Sequence, residues 1–148
     1  MLHNEPGLEN VTYKDTIPFV PPITHGKVVK VYDGDTLTVA SRLPYPSSPL
    51  YRFQVRLAGI DCPEMKTKNE SEKQVALLAK EFISSRVLNK MIELQNVETE
   101  KYGRLLARVY FDGRCLNDEL CEQRLAVGYQ GGTKQSPEDW LQYYNSIK

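Results

Sequence analysis

Three short stretches hold the side chains that could do chemistry: Asp33-Gly34-Asp35-Thr36, Arg56-Leu57-Ala58-Gly59-Ile60-Asp61-Cys62-Pro63-Glu64 and Lys101-Tyr102-Gly103-Arg104. Carboxylates are hard oxygen donors suited to a hard divalent cation, and arginine presents a rigid fork of donors that pairs with phosphate. Metal-assisted cleavage of a phosphodiester asks for these parts: an ion acting as a Lewis acid, a carboxylate near the attacking water, and fixed positive charge where the phosphoryl oxygens gain negative charge. Each residue also has an ordinary reading. Asp33 and Asp35 suit a turn, Arg56 suits a strand residue that snorkels to solvent, and Glu64 suits a solvated corner acid. Convergence of the separate stretches on one point is what favours the chemical reading. No base or electropositive neighbour is evident for Cys62, so it is not expected to act as a nucleophile. His3 and His25 are not expected to be catalytic.

The elements that must position these residues can be read from periodicity. β-branched residues flank Asp33-Gly34 over residues 27–39, which predicts two strands around a hairpin turn. Residues 41–51 hold three prolines, with Ser47 and Ser48 among them, and read as a stiffened loop. Strand character resumes over residues 53–60. There a tension arises, because Arg56 and Asp61 are an odd number of residues apart and strict alternation would put them on opposite faces. A bend or bulge at Gly59 would re-aim the residues after it, leaving Asp61, the Cys62 carbonyl and Glu64 at a corner closed by Pro63.

Asn69 or Ser71 can cap the next helix, and Ser71 with Gln74 forms a capping-box pattern. Val75, Leu78, Ala79, Phe82 and Ile83 form one apolar stripe running to about Leu88. Residues 91–97 and 105–111 read as strands, with Leu105, Ala107, Val109 and Phe111 on one face. Residues 114–122 read as a short helix, in which Cys115 and Cys121 are expected to be small buried hydrophobes. Residues 127–133 read as a flexible loop. A last helix is expected to open at Ser136 and Pro137 and to dock onto the barrel through Trp140, Tyr144 and Ile147. Residues 1–25 are punctuated by prolines and predict an extended arm in which Ile17, Phe19, Val20 and Ile23 lie on the domain surface. Five strands with a helix after the third predict an α+β fold, a five-stranded OB-type Greek-key barrel with three helices over residues 26–148.

Composition narrows the function classes. With 148 residues, 41% of them hydrophobic, the chain suits one domain with a core. Nineteen basic and nineteen acidic residues leave no net charge, so attraction for a polyanion must come from local clustering. Three cysteines without a C-x-x-C pair suggest neither a disulfide framework nor a zinc cage. There is no basic head followed by an apolar run and no stretch of membrane-spanning length. A monomeric, intracellular, cytoplasmic protein without membrane association is therefore expected.

Residues 26–148 resemble the staphylococcal nuclease (thermonuclease) family. The resemblance rests on Val31-Tyr32-Asp33-Gly34-Asp35-Thr36, then Val55-Arg56-Leu57-Ala58-Gly59-Ile60-Asp61-Cys62-Pro63-Glu64, then Lys101-Tyr102-Gly103-Arg104-Leu105-Leu106-Ala107, in the family's order. It implies that Asp35 and Asp61 are the calcium carboxylates, with the main-chain carbonyl of Cys62 completing the protein ligands. It further implies that Glu64 activates or orients the attacking water and that Arg56 and Arg104 grip the phosphate. Lys101 and Tyr102 would touch a terminal phosphate, Tyr129 is the nearest candidate for stacking on a base, and Lys66 and Lys68 would flank the groove. The implied activity is a calcium-dependent endonuclease or exonuclease acting on single-stranded or frayed DNA and RNA, with 3'-phosphate products. Two other classes stay open: a noncatalytic nuclease-like module that binds nucleic acid or protein, and an OB-fold single-strand binder without chemistry.

Overall fold

The structure is a computed structural model that describes residues 7–129 and 135–148. Its elements run β1 (His25–Asp33), β2 (Thr36–Arg42), β3 (Leu50–Leu57), β4 (Ile60–Asp61), α1 (Glu70–Val87), β5 (Met91–Thr99), β6 (Leu105–Phe111), β7 (Arg114–Cys115), α2 (Leu116–Glu122), β8 (Val127–Gly128) and α3 (Trp140–Asn145). β1, β2 and β3 form an antiparallel meander, and β5 joins β1 and then β6. β6 returns to β3 in parallel, Val55 opposite Leu105 and Leu57 opposite Ala107. That last pairing closes five strands into a barrel with mixed strand directions, as the predicted OB-type fold requires, and closure protects edges that would otherwise be exposed.

Inward-facing residues fill the barrel: Val28, Leu37, Val39, Val55, Leu57, Ala107 and Val109 are fully buried. The helix α1 lies against them with Val75, Ala79, Ile83 and Val87 buried; of the expected stripe, Leu78 and Phe82 are partly buried and pack on the core's edge. Its N-terminus is capped by Asn69, whose side chain accepts the Glu72 amide at 3.0 Å. Ser71 is used differently: its hydroxyl donates to Asp139 and accepts the Leu141 amide at 2.8 Å, tying α1 to α3.

Several expectations need correction. The last helix starts at Trp140 with Asp139 as its cap, later than Ser136 and Pro137 suggested, because Asp139 accepts the Gln142 amide at 3.1 Å. α3 rests on α1, with Trp140 buried and Tyr143 meeting its ring edge-on, while Ile147 stays exposed. Val127 and Gly128 are not loop but a strand, β8, paired with Asp61 and Ile60; residues 130–133 of the expected loop lie outside the described residues. The helix expected over residues 114–122 starts only at Leu116, because Arg114 and Cys115 pair with β6 as β7; Cys115 there and Cys121 on the short α2 are only partly buried, and Cys62 is the buried thiol. Among the described residues of the N-terminal arm only Ile23 joins the core, whereas Ile17 and Phe19 project into solvent at 89% and 69% exposure.

Candidate active site

The turn after β3 decides where the acids go. Ala58 and Gly59 reverse the chain, and Gly59 adopts φ 78°, a left-handed conformation that costs an L side chain roughly 1–2 kcal/mol. The chain returns as β4, and the odd spacing between Arg56 and Asp61 ceases to matter. The Arg56 guanidinium reaches Asp61 Oδ1 at 3.2 Å and Asp35 Oδ2 at 3.6 Å, while its other terminal nitrogen donates to the Leu57 and Ile60 carbonyls, each at 2.9 Å. One side chain thus staples the turn and binds both acids.

Asp35 is brought there by the β1–β2 turn. The turn seats on α1 at Gly34, where an added Cβ would lie 2.7 Å from Ala79 Cβ and 2.9 Å from Cys62 Sγ, so no larger residue fits. Asp35 then accepts the Cys62 amide at 3.0 Å and the Thr36 hydroxyl at 3.2 Å. Its own amide donates to Asp33 Oδ1 at 3.2 Å. Asp35 and Asp61 are buried, at 7% and 5% exposure, although both line an open cleft of about 700 Å³.

Asp35 and Asp61 share one guanidinium, with Asp33 hydrogen-bonded to the Asp35 amide beside them, so the floor of the cleft carries more acid than base. Burial, a hydrogen bond with Asp35 and the Asp35 charge push the Asp33 carboxyl up to about 7. The Cys62 thiol is driven well above its ordinary range by burial and by the charge of Asp35, which leaves it inert as a nucleophile. The donors here are hard oxygens under excess negative charge and suit a hard divalent cation such as calcium or magnesium. Among the described residues no three His, Cys, Asp or Glu side chains enclose a metal. The donors brought together are the carboxylates of Asp35 and Asp61, with Cys62 also lining the cleft, which fits an ion shared with water and substrate better than a closed structural cage.

Glu64 is exposed at the rim of this cleft, its backbone amide held by Glu72 at 2.8 Å. Arg104 also lines the cleft, brought alongside β3 by the parallel pairing of Arg56 with Leu106. Its guanidinium is engaged from behind by both carboxylate oxygens of Glu100. Tyr129 is half-buried with its ring 5.8 Å from the Arg56 guanidinium, and its amide donates to the Gly59 carbonyl at 2.9 Å. It backs Arg56. Lys101 and Tyr102 sit on the exposed turn before β6, the lysine ammonium 5.6 Å from the tyrosine ring, outside the residues lining the cleft. Lys66 lines the cleft and Lys68 does not.

Asn117 was not singled out by its sequence. Buried in α2, it donates to the Ala58 carbonyl at 2.8 Å and the Ala107 carbonyl at 3.2 Å, and accepts the Val109 amide at 3.0 Å. It bolts the turn that aims Asp61 to the barrel strand β6. The one available signal was an asparagine next to Leu116 near a helix start, a position that asparagine favours for local backbone bonding alone.

A family model described as staphylococcal nuclease homologue matches residues 54–146. A probable endonuclease of Schizosaccharomyces pombe is 29% identical over 86% of this chain and 62% of its own length. An uncharacterized endonuclease of Haemophilus influenzae is 34% identical over 70% of this chain and 52% of its own. A thermonuclease of Staphylococcus hyicus is 28% identical over 68% of this chain and 56% of its own. The chain therefore spans between about half and three fifths of these relatives.

Proposed function

Because the chain belongs to the staphylococcal nuclease homologue family, we propose that it is a calcium-dependent nuclease that hydrolyses phosphodiesters of single-stranded or frayed DNA and RNA, leaving 3'-phosphates. The observation that carries this reading is Arg56 bridging Asp35 and Asp61 in a cleft whose rim holds Glu64 and Arg104.

Asp35, Asp61 and the Cys62 carbonyl would hold the cation, which when bound supplies Lewis-acid polarisation of the phosphate. Glu64 is solvent-accessible and rim-placed, as a group that orients or deprotonates water must be. Arg56 is fixed by two carbonyls and two acids, so its charge is oriented before substrate arrives. Arg104 is steadied by Glu100 in the same manner and offers a second fork on the β6 side of the cleft. As the phosphoryl oxygens gain charge, these two fixed positive charges stabilise it, which lowers the barrier selectively. Lys101 and Tyr102 are the proposed contacts to a terminal phosphate, and Tyr129 acts here by supporting Arg56.

The test is a fluorescent single-stranded oligonucleotide incubated with calcium, with chelator, and with the Glu64→Ala protein. Cutting is expected with calcium alone. Cutting that persists in both other arms would remove the mechanism, and binding without any cutting would point to the noncatalytic module.

A further inference from the structure

The cleft does not end at the acids. Beyond them it is lined by Lys30 and Tyr32 of β1 and by Lys80 of α1, none of which has a role in the reaction described above. We propose that Tyr32, Lys30 and Lys80 form a nucleotide subsite that holds a single strand alongside the scissile phosphate, the base stacked on Tyr32 and its phosphates on the two lysines. This rests on the nuclease reading for its substrate class.

Three observations carry it. First, β1 pairs with β2 through two bulges, in which Val29 and Tyr32 are the extra residues. A bulge beside a site re-aims a side chain. Here Val28 and Val31 both point into the core despite their odd spacing, and Lys30 and Tyr32 both lie exposed. Second, Tyr32 is 50% exposed and lines the cleft, so a large ring there is accessible to a planar partner. Third, the seating of Gly34 on Ala79 fixes the neighbouring Lys80 beside the end of β1. All five ion pairs among the described residues are formed by arginines, which leaves both lysine ammoniums uncommitted. An exposed ring flanked by uncommitted cations is how sequence-tolerant binding of single strands is built. With zero net charge on the chain, such local placement is where affinity must come from.

The experiment is fluorescence anisotropy with labelled octathymidylate in calcium buffer, using the full chain carrying Glu64→Gln to suppress turnover. Adding Tyr32→Ala is expected to weaken binding about tenfold, the scale of one lost base stack, and Tyr32→Phe is expected to restore it. Adding Lys30→Ala with Lys80→Ala is expected to lower the slope of log affinity against log salt by about 1.4, two phosphate contacts' worth. Circular dichroism of each variant checks that it is folded. Tyr32→Ala binding as tightly as its parent, an unchanged salt slope, or no binding by the parent would each overturn the subsite. The nuclease reading fails separately: if the unsubstituted chain cuts nothing in calcium while these binding losses appear, the groove stands as a single-strand site without chemistry.

Discussion

At the scale of single residues, Arg56 has two duties that can be measured apart. It pairs with Asp35 and Asp61, and it clamps the Leu57 and Ile60 carbonyls. Lysine carries the charge but has a single nitrogen, which cannot reach two acids and two carbonyls at once. Arg56→Lys is therefore expected to lower the cleavage rate by roughly 3 to 5 kcal/mol of barrier, about two to four orders of magnitude, in a single-turnover oligonucleotide assay. A rate within about threefold of the parent would show that the fork is not needed. Asn117 is a residue of a different kind, since it does not line the cleft. Asn117→Ala leaves the Ala58 and Ala107 carbonyls and the Val109 amide without this partner. Urea unfolding is expected to show a loss of about 2 to 4 kcal/mol, with activity falling because Asp61 is no longer aimed.

At the scale of elements, the junction of α1 and α3 behaves as a latch with a titratable pin. The hydrogen bond from Ser71 and then the Gln142 amide hold the Asp139 carboxyl below its ordinary value of 3.8. A depressed folded-state value means that the unfolded chain takes up the proton first. The stabilisation is thus complete above the ordinary value and fades as pH falls through the folded one. Trp140 is the sole tryptophan and is buried next to this pin, so its fluorescence should report loosening of α3 below pH 3.8. Asp139→Asn is expected to flatten that acid transition; an identical transition in the variant would place the titration elsewhere.

At the scale of the whole molecule, the barrel's cooperative unit begins close to Ile23. That side chain is 4% exposed, and the carbonyl just after it, on Thr24, accepts the Leu94 amide at 2.8 Å. None of residues 7–22 is buried, and the short turns Leu8–Asn10 and Tyr13–Asp15 lie wholly exposed. Deleting residues 1–20 should leave the thermal midpoint within about a degree or two, the change expected when little surface returns to water. Ile23→Ala should cost about 2 to 4 kcal/mol by calorimetry or urea unfolding, as core truncations do. A large loss from the deletion would mean that the arm is part of the folding unit. Among the described residues no helix is long and apolar enough to cross a membrane.

Period and punctuation made the barrel strands, α1 and the hairpin at Asp33-Gly34 legible in the sequence, because alternation and apolar stripes are local signals of what must face a core. The motif around Gly59 likewise announced a bend, since glycine is the residue that takes positive φ cheaply. What alternation could not supply was the meeting of Arg56 with Asp61. That depends on the direction in which the bend turns the chain and on the pairing of β4 with β8. The cap of α3, its seat on α1 and the role of Asn117 were illegible for the same reason. Each is set by partners distant in the chain, Ser71 for Asp139 and Ala58 for Asn117. Residue types limited the chemistry to hard oxygen donors and guanidinium forks, whereas closure of β6 onto β3 and the turn at Gly59 decided that they share one cleft.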